Sequence, residues 1–168
     1  MQHNYNLSSA ICFLAEEEKE GAIKEVVAKC TLFKTLPDIA KFEKAVLIRE
    51  SIETTGIGHN VAIAHGKIRK LSHIRVGLGI SKVGVEYNSM DSNKVNFLFV
   101  IASSPTRQVE YIKSLSLVLR LIKDPVVQRE LLTMGENLSF QSILSDNTNT
   151  LIDTLLNQPY RWLWNKVS

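Results

Sequence analysis

Apolar residues along this chain follow two periods, and the switches between them outline the fold. Ala10–Leu14 is a short apolar run that reads as a strand. Behind it, Ala22, Ile23, Val26, Val27 and Cys30 recur at helical spacing, after the acidic stretch Glu16–Glu18, whose charge suits a helix N-terminus. Pro37, at a first-turn position, opens a second helix. Its stripe runs Ile39, Phe42, Val46 and returns seven residues after Phe42 to Arg49, which places a charge on the core-facing line. Thr54–Asn60 reads as a glycine-punctuated loop, followed by strands at Val61–His65, His73–Ile80, Val83–Tyr87 and Lys94–Ala102. In the last of these Val95, Phe97, Phe99 and Ile101 alternate with Leu98, Val100 and Ala102, so both faces are apolar and the strand belongs at the centre of a sheet covered on both sides. Pro105 leads into a long helix with Ile112, Leu115, Leu119 and Ile122 at 3-4-3 spacing, and Asp124-Pro125 supplies the cap and first-turn proline of the next. Shorter helical pieces follow near Ser139–Leu144 and Thr148–Asn157. The pattern predicts one α/β domain over residues 1–168, a mixed sheet of about five strands flanked by helices.

Composition narrows the class without naming a function. With 168 residues, 45% hydrophobic and 22% charged, the chain has the make-up of one globular domain, which excludes disorder, collagen and coiled coil. Cys12 and Cys30 sit in apolar contexts with no CxxC, so buried free thiols are expected rather than a bridge. Neither the polar start Met1–Ser9 nor any apolar run has the length of an export signal or a membrane span, which points to the cytoplasm. The net charge is only +3. Its one cluster, Lys67, Arg69, Lys70, His73 and Arg75, lacks the stacking aromatics of a nucleic-acid surface and reads as a solvated connection that attracts an acidic partner.

The histidines are His3, His59, His65 and His73, and their spacing matches no metal-ligand pattern, so neither metal nor cofactor is expected. There is no GxSxG elbow, no GxxxxGK[ST] loop and no strand followed by GxGxxG. The distinctive feature is one block from Arg49 to Lys67: an arginine ending one element, the glycine turn Thr54-Thr55-Gly56-Ile57-Gly58, and His65 at the end of an apolar strand. A neutral imidazole is a nucleophile toward phosphorus, provided its other nitrogen is held. A guanidinium, the Thr54 and Thr55 hydroxyls and the amides around Gly56 and Gly58 are donors for a phosphoryl group. The same residues also suit an arginine at a helix C-terminus, a tight turn and a strand-end histidine, and residue chemistry leaves both readings open.

The block, as Arg49-Glu50, then Thr55-Gly56-Ile57-Gly58, then a short strand ending Ala62-Ile63-Ala64-His65-Gly66-Lys67, closely resembles the signature of the fructose/mannitol/nitrogen-regulatory class of enzyme IIA of the bacterial phosphoenolpyruvate-dependent phosphotransferase system. Met90–Val95 and Ile112–Asp124 extend the likeness over roughly residues 7–155, the second of them in the manner of the nitrogen-regulatory branch, and leave an extension over 158–168. The resemblance implies a mixed sheet flanked by helices, phosphoryl acceptance by His65 from the histidine phosphocarrier protein, and a place for Arg49 in the active site. It further implies a partner downstream, either a regulated protein or a IIB protein. The chain carries no attached IIB or IIC module, which favours regulation over sugar uptake. Three positions depart from the family. Asn60 replaces a usual glycine, Ala64 replaces the proline before the histidine, and Tyr111 falls where most members carry a second histidine. Ala64 and Tyr111 favour a further alternative, a binding module that never accepts phosphate. The tail Tyr160-Arg161-Trp162-Leu163-Trp164 has no counterpart in the family pattern.

Overall fold

The computed structural model describes residues 7–135 and 143–156. Its elements are β1 (Ile11–Phe13), α1 (Lys19–Lys29), α2 (Ile39–Ile52), β2 (Gly56–Gly58), β3 (Val61–Lys67), β4 (Arg75–Val85), β5 (Val95–Ser103), α3 (Gln108–Ile122), α4 (Pro125–Leu132) and α5 (Asp146–Leu156). The strands form one mixed sheet in the order β1-β4-β5-β3-β2, parallel at β1/β4 and β5/β3 and antiparallel at β4/β5 and β3/β2. The predicted two-faced strand is the central one. Phe97, Phe99 and Ile101 of β5 join the core under α3, α4 and α5, while Leu98, Val100 and Ala102 join the core under α1 and α2. Asp38 caps α2 by accepting from the Lys41 amide at 3.0 Å, and Asp124 caps α4 by accepting from Val126 at 2.9 Å, with Pro125 behind it.

Four local readings change. The stretch Thr54–Asn60 contains β2, whose three residues turn back onto β3 through His59 and Asn60, both with positive φ (56° and 66°). Two successive left-handed residues make the type I′ turn that suits a hairpin's twist, and Asn60 takes its conformation without a glycine. The strands read at His73–Ile80 and Val83–Tyr87 are one strand, β4, whose register slips between Ile80 and Val85 around Gly84 at φ 91°. On α3 the buried face is Ser114, Leu117, Val118, Leu121 and Ile122, so Ile112 is exposed and Leu115 and Leu119 lie at the margin. Ser114 tolerates burial because its hydroxyl donates to Glu110 O at 2.9 Å. Residues 143–145 are not helical, and the rest of the expected Ser139–Leu144 piece, like the whole 158–168 tail, lies outside the described residues. Cys12 and Cys30 are free and buried, and the adjoining Cys12 thiol together with burial pushes the Cys30 thiol up.

Two features of packing set up one end of β3. Antiparallel β2 pairs only with Val61 and Ala62, whereas β5 pairs with all of Val61–Lys67. The second half of β3 therefore needs another cover on its outer edge, and the segment leaving α2 supplies it, with Ile63 N donating to Thr55 O at 3.1 Å. On the sheet face, a Cβ at Gly66 would meet Val46 Cγ2 at 2.9 Å and Val46 N at 3.1 Å. Glycine at that position brings α2 close against β3, next to residue 65.

Candidate functional site

His65 lies in β3 opposite Ile101 of β5, half-buried, on the sheet face that α3 covers. Its Nδ1 is 3.3 Å from Ile63 O. A carbonyl can only accept, so this bond holds the proton on Nδ1 and leaves the lone pair on Nε2. The Tyr111 ring, at the start of α3, sits 5.6 Å from the imidazole centroid, tilted by 51°. Burial lowers the His65 pKa, the Ile63 carbonyl raises it in part, and the positive charge of Arg49 lowers it further. The imidazole is thus neutral at ordinary pH. Tyr111 is likewise neutral, since burial raises its pKa against a smaller opposing effect of Arg49. Arg49 therefore acts electrostatically on both rings.

Arg49 is half-buried rather than on the core line, and its Nη1 donates to Glu53 O at 2.9 Å at the end of α2. The line Phe42, Val46 leads at steps of four to Glu50, and it is Glu50 that points inward, 5% exposed. Its carboxylate accepts from Thr55 N at 2.9 Å, from the Thr55 hydroxyl and from Tyr87 OH at 3.1 Å, and pairs with Lys19 Nζ at 3.1 Å. Burial and then the Glu50 charge push the Tyr87 phenol up, keeping it neutral as a donor. Sequence reasoning carried Glu50 within its block and gave it no role. The signal was the i, i+4, i+8 line from Phe42, which ends on a carboxylate.

The remaining candidates divide by position. Thr55, 7% exposed, spends its hydroxyl on Glu50, and Thr54 donates its hydroxyl to Tyr87 O at 3.3 Å. Both threonines stand behind the histidine as supports of the loop. Gly56 and Gly58 lie toward the other end of β3 from His65, roughly 10 and 13 Å along the strand at about 3.3 Å per residue. Gly58 takes φ 88°, and a Cβ at Gly56 would meet Ser89 Oγ at 2.3 Å and Ser89 Cα at 2.9 Å. These glycines shape the hairpin and are not brought to the imidazole, since β2 folds back along β3 instead of running on toward residue 65. His59 sits on the same distant turn. Ala64 is fully buried, beside Val100 in the ladder. Lys67, Arg69 and Lys70 are exposed at the His65 end, whereas Arg75 turns back to donate to His73 O at 2.8 Å.

A held imidazole, a guanidinium within electrostatic reach of it and a neutral phenol across from it make up this end of β3. Residues 8–147 match the family model described as "Phosphoenolpyruvate-dependent sugar phosphotransferase system, EIIA 2". The chain belongs to this EIIA family. A nitrogen regulatory protein of Bradyrhizobium diazoefficiens is 28% identical over 132 residues, covering 79% of this chain and 86% of that protein. The fructose-specific EIIABC component of Bacillus subtilis is 31% identical over 119 residues, 71% of this chain but only 19% of that much longer protein. Among solved structures, nitrogen regulatory protein IIA-Ntr of Neisseria meningitidis superposes with a TM-score of 0.66 at 19% identity, over 77% of this chain and 88% of that one. IIA mannitol of Escherichia coli superposes with a TM-score of 0.61 at 19% identity, over 86% of this chain and 96% of its own. The mixed sheet with helices on both faces is thus the EIIA fold. Among the described residues, no helix is long and apolar enough to cross a membrane.

Proposed function

We propose that this EIIA-family chain is a cytoplasmic phosphocarrier that accepts a phosphoryl group on Nε2 of His65 from the histidine phosphocarrier protein, and acts mainly by changing which protein partner it binds. The observation that carries this reading is the Nδ1 bond to Ile63 O, which leaves the Nε2 lone pair free on a ring that also feels the charge of Arg49. In the step, that lone pair forms the new N–P bond while the N–P bond to the phosphocarrier's histidine breaks, and the departing ring keeps its electron pair. No water takes part. Arg49 offsets the charge of the transferring group, and Tyr111 offers it a neutral donor. A protein partner also fits the surroundings. Ile48 and Ile52 on α2 (54% and 77% exposed) and Val109 and Ile112 on α3 (69% and 57% exposed) are aliphatic side chains on the two helices that supply Arg49 and Tyr111.

Incubation with phosphoenolpyruvate, enzyme I and the phosphocarrier should add one acid-labile phosphoryl group, absent in His65→Ala. Labelling that persists in His65→Ala overturns the assignment. The likeness to the fructose-specific component supports a second reading, in which phosphate passes on to a IIB protein for sugar uptake. Onward transfer to a purified IIB domain would establish it. Tyr111 supports a third, a binding module that never takes phosphate, and labelling seen only after Tyr111→His would establish that one.

A further inference from the structure

A carboxylate buried in a domain core carries a desolvation cost that its partners must offset. Glu50 gathers four: Thr55 N, the Thr55 hydroxyl, Tyr87 OH and Lys19 Nζ. Lys19 also lies over the Tyr87 ring, 4.7 Å from its centroid, so α1, α2, the residue before β2 and the second residue after β4 all meet at this one side chain. The Thr55 backbone that Glu50 holds does not end there. Thr55 O accepts from Ile63 N at 3.1 Å, and Ile63 O accepts from His65 Nδ1 at 3.3 Å. The Glu53–Thr55 segment has to cover the edge of β3 that β2 leaves unpaired, and no ladder on its outer side keeps it there. Glu50 does so from the inside.

We infer that Glu50 is a positioning residue for His65: by holding Thr55 against the open edge of β3, it fixes the Ile63 carbonyl that keeps the imidazole proton on Nδ1 and the lone pair on Nε2. This rests on His65 being the phosphoryl acceptor, although the positioning itself precedes any transfer. The charged groups acting on the imidazole are Arg49 and Glu50 from α2 and Lys67 from β3 itself, with the neutral Tyr111 facing it from α3. Of these, Glu50 holds Thr55 itself, whereas Arg49 reaches the same segment only at Glu53 O. A purely structural carboxylate would affect stability and leave the ring tautomer alone.

The test reads the ring nitrogens of His65 by 15N NMR in the unphosphorylated full chain, alongside the rate of phosphoryl labelling. The wild type should show one tautomer, protonated at Nδ1. Glu50→Gln places an amide donor against the Tyr87 and Thr55 donors, so the loop should shift, both tautomers should appear, and labelling should slow on the order of tenfold while unfolding stays cooperative. A folded Glu50→Gln with the wild-type tautomer and rate overturns the inference. Should Glu50→Gln fail to fold, Thr55→Val deletes one donor to the carboxylate and leaves the backbone intact. It should mix the tautomers to a smaller degree, and an unchanged ring there overturns the inference equally. If the wild type takes no label at all, the phosphocarrier reading falls on its own, and the tautomer comparison still decides the role of Glu50.

Discussion

The two ends of β3 are built from one continuous stretch of sequence and are put to opposite uses. At the first end, polar groups are consumed internally. His59 N donates to Asp91 Oδ2 at 3.2 Å, Gln128 Nε2 donates to His59 O at 2.9 Å, Met90 N donates to Gly56 O at 2.9 Å, and the Asn60 amide donates to Gln128 Oε1 at 3.3 Å. At the second end, groups keep capacity in hand. Arg49 gives one N–H to Glu53 O out of the five a guanidinium carries, and His65 spends Nδ1 while Nε2 retains its lone pair. An end that satisfies itself can only support the fold, whereas an end with unspent donors and a lone pair can receive a ligand. On the proposed reading, this difference makes the glycine turn scaffold and the arginine–histidine end the place for chemistry.

The largest effect that would break this contrast is at Arg49. Arg49→Ala removes the stronger of the two cations acting on His65, the other being Lys67, and deleting such a charge stabiliser typically costs about 10²–10³ in rate. Because Arg49 is half-buried and makes a single bond to a helix-end carbonyl, thermal unfolding should move little. Arg49→Lys keeps the charge, loses the planar fork and should fall between the two. Labelling of Arg49→Ala at the wild-type rate would mean that this end of β3 is scaffold as well.

How far this contrast was legible in the sequence differs from residue to residue. The two-faced β5 and the caps at Asp124-Pro125 are local patterns, and each reads through directly into structure. The hairpin does not, because three residues with two glycines have no strand propensity of their own. What places β2 is the Ser89–Asp91 segment, which arrives from about thirty residues later in the chain. For that reason the block looked like one anion site although its glycines and its histidine occupy opposite ends of a strand. Glu50 was hidden differently. Following the stripe seven residues on from Phe42 reached Arg49, while the helix buries the eighth, and only the partners Thr55, Tyr87 and Lys19 make a buried glutamate acceptable there.

The next effect belongs to the scaffold end and has the opposite signature. Gly56→Ala puts a methyl group 2.9 Å from Ser89 Cα and 3.0 Å from Tyr87 Cδ1, and overpacking of this kind costs about 1–3 kcal/mol. The melting temperature should fall by roughly 2–4 °C for each kcal/mol in a chain of this size. Below the melting range, the labelling rate per folded molecule should stay at the wild-type value. A large loss of rate with no loss of stability would place the glycine turn back in the site.

Tyr111→Phe should have a smaller influence, confined to the reactive end. It removes one hydroxyl from a half-buried ring 5.6 Å from the imidazole centroid and leaves the packing in place. Loss of one hydrogen bond to a charged acceptor corresponds to about tenfold in rate. Tyr111→His would introduce a ring able to carry charge and should alter onward transfer more than acceptance. If Tyr111→Phe changes neither labelling nor hydrolysis of the label, the phenol only packs against the start of α3.

The smallest effect is a pH dependence of stability that should be traceable to one end of β3. Burial, with Arg49 assisting, holds the folded-state pKa of His65 below its ordinary value of about 6.5. Between that ordinary value and the lowered one, the unfolded chain binds a proton that the folded chain refuses, so acid favours unfolding. The contribution of His65 is therefore fully present above about pH 6.5 and is lost as the pH falls through the folded-state pKa. Asp124 and Glu130, whose pKa values are also lowered, act in the same direction but only in the carboxylate range, below about pH 4.5. Melting curves at pH 7.5 and just below pH 6 should thus differ in the wild type, and the difference should shrink in His65→Gln. In Arg49→Ala the His65 midpoint should move upward, because one of the causes holding it down is gone. Labelling should stay flat from alkaline pH down to about 6.5 and decline only below it, as Nε2 takes up a proton and its lone pair is lost. A decline beginning above pH 7 would contradict the burial of the imidazole and its neighbouring cation together.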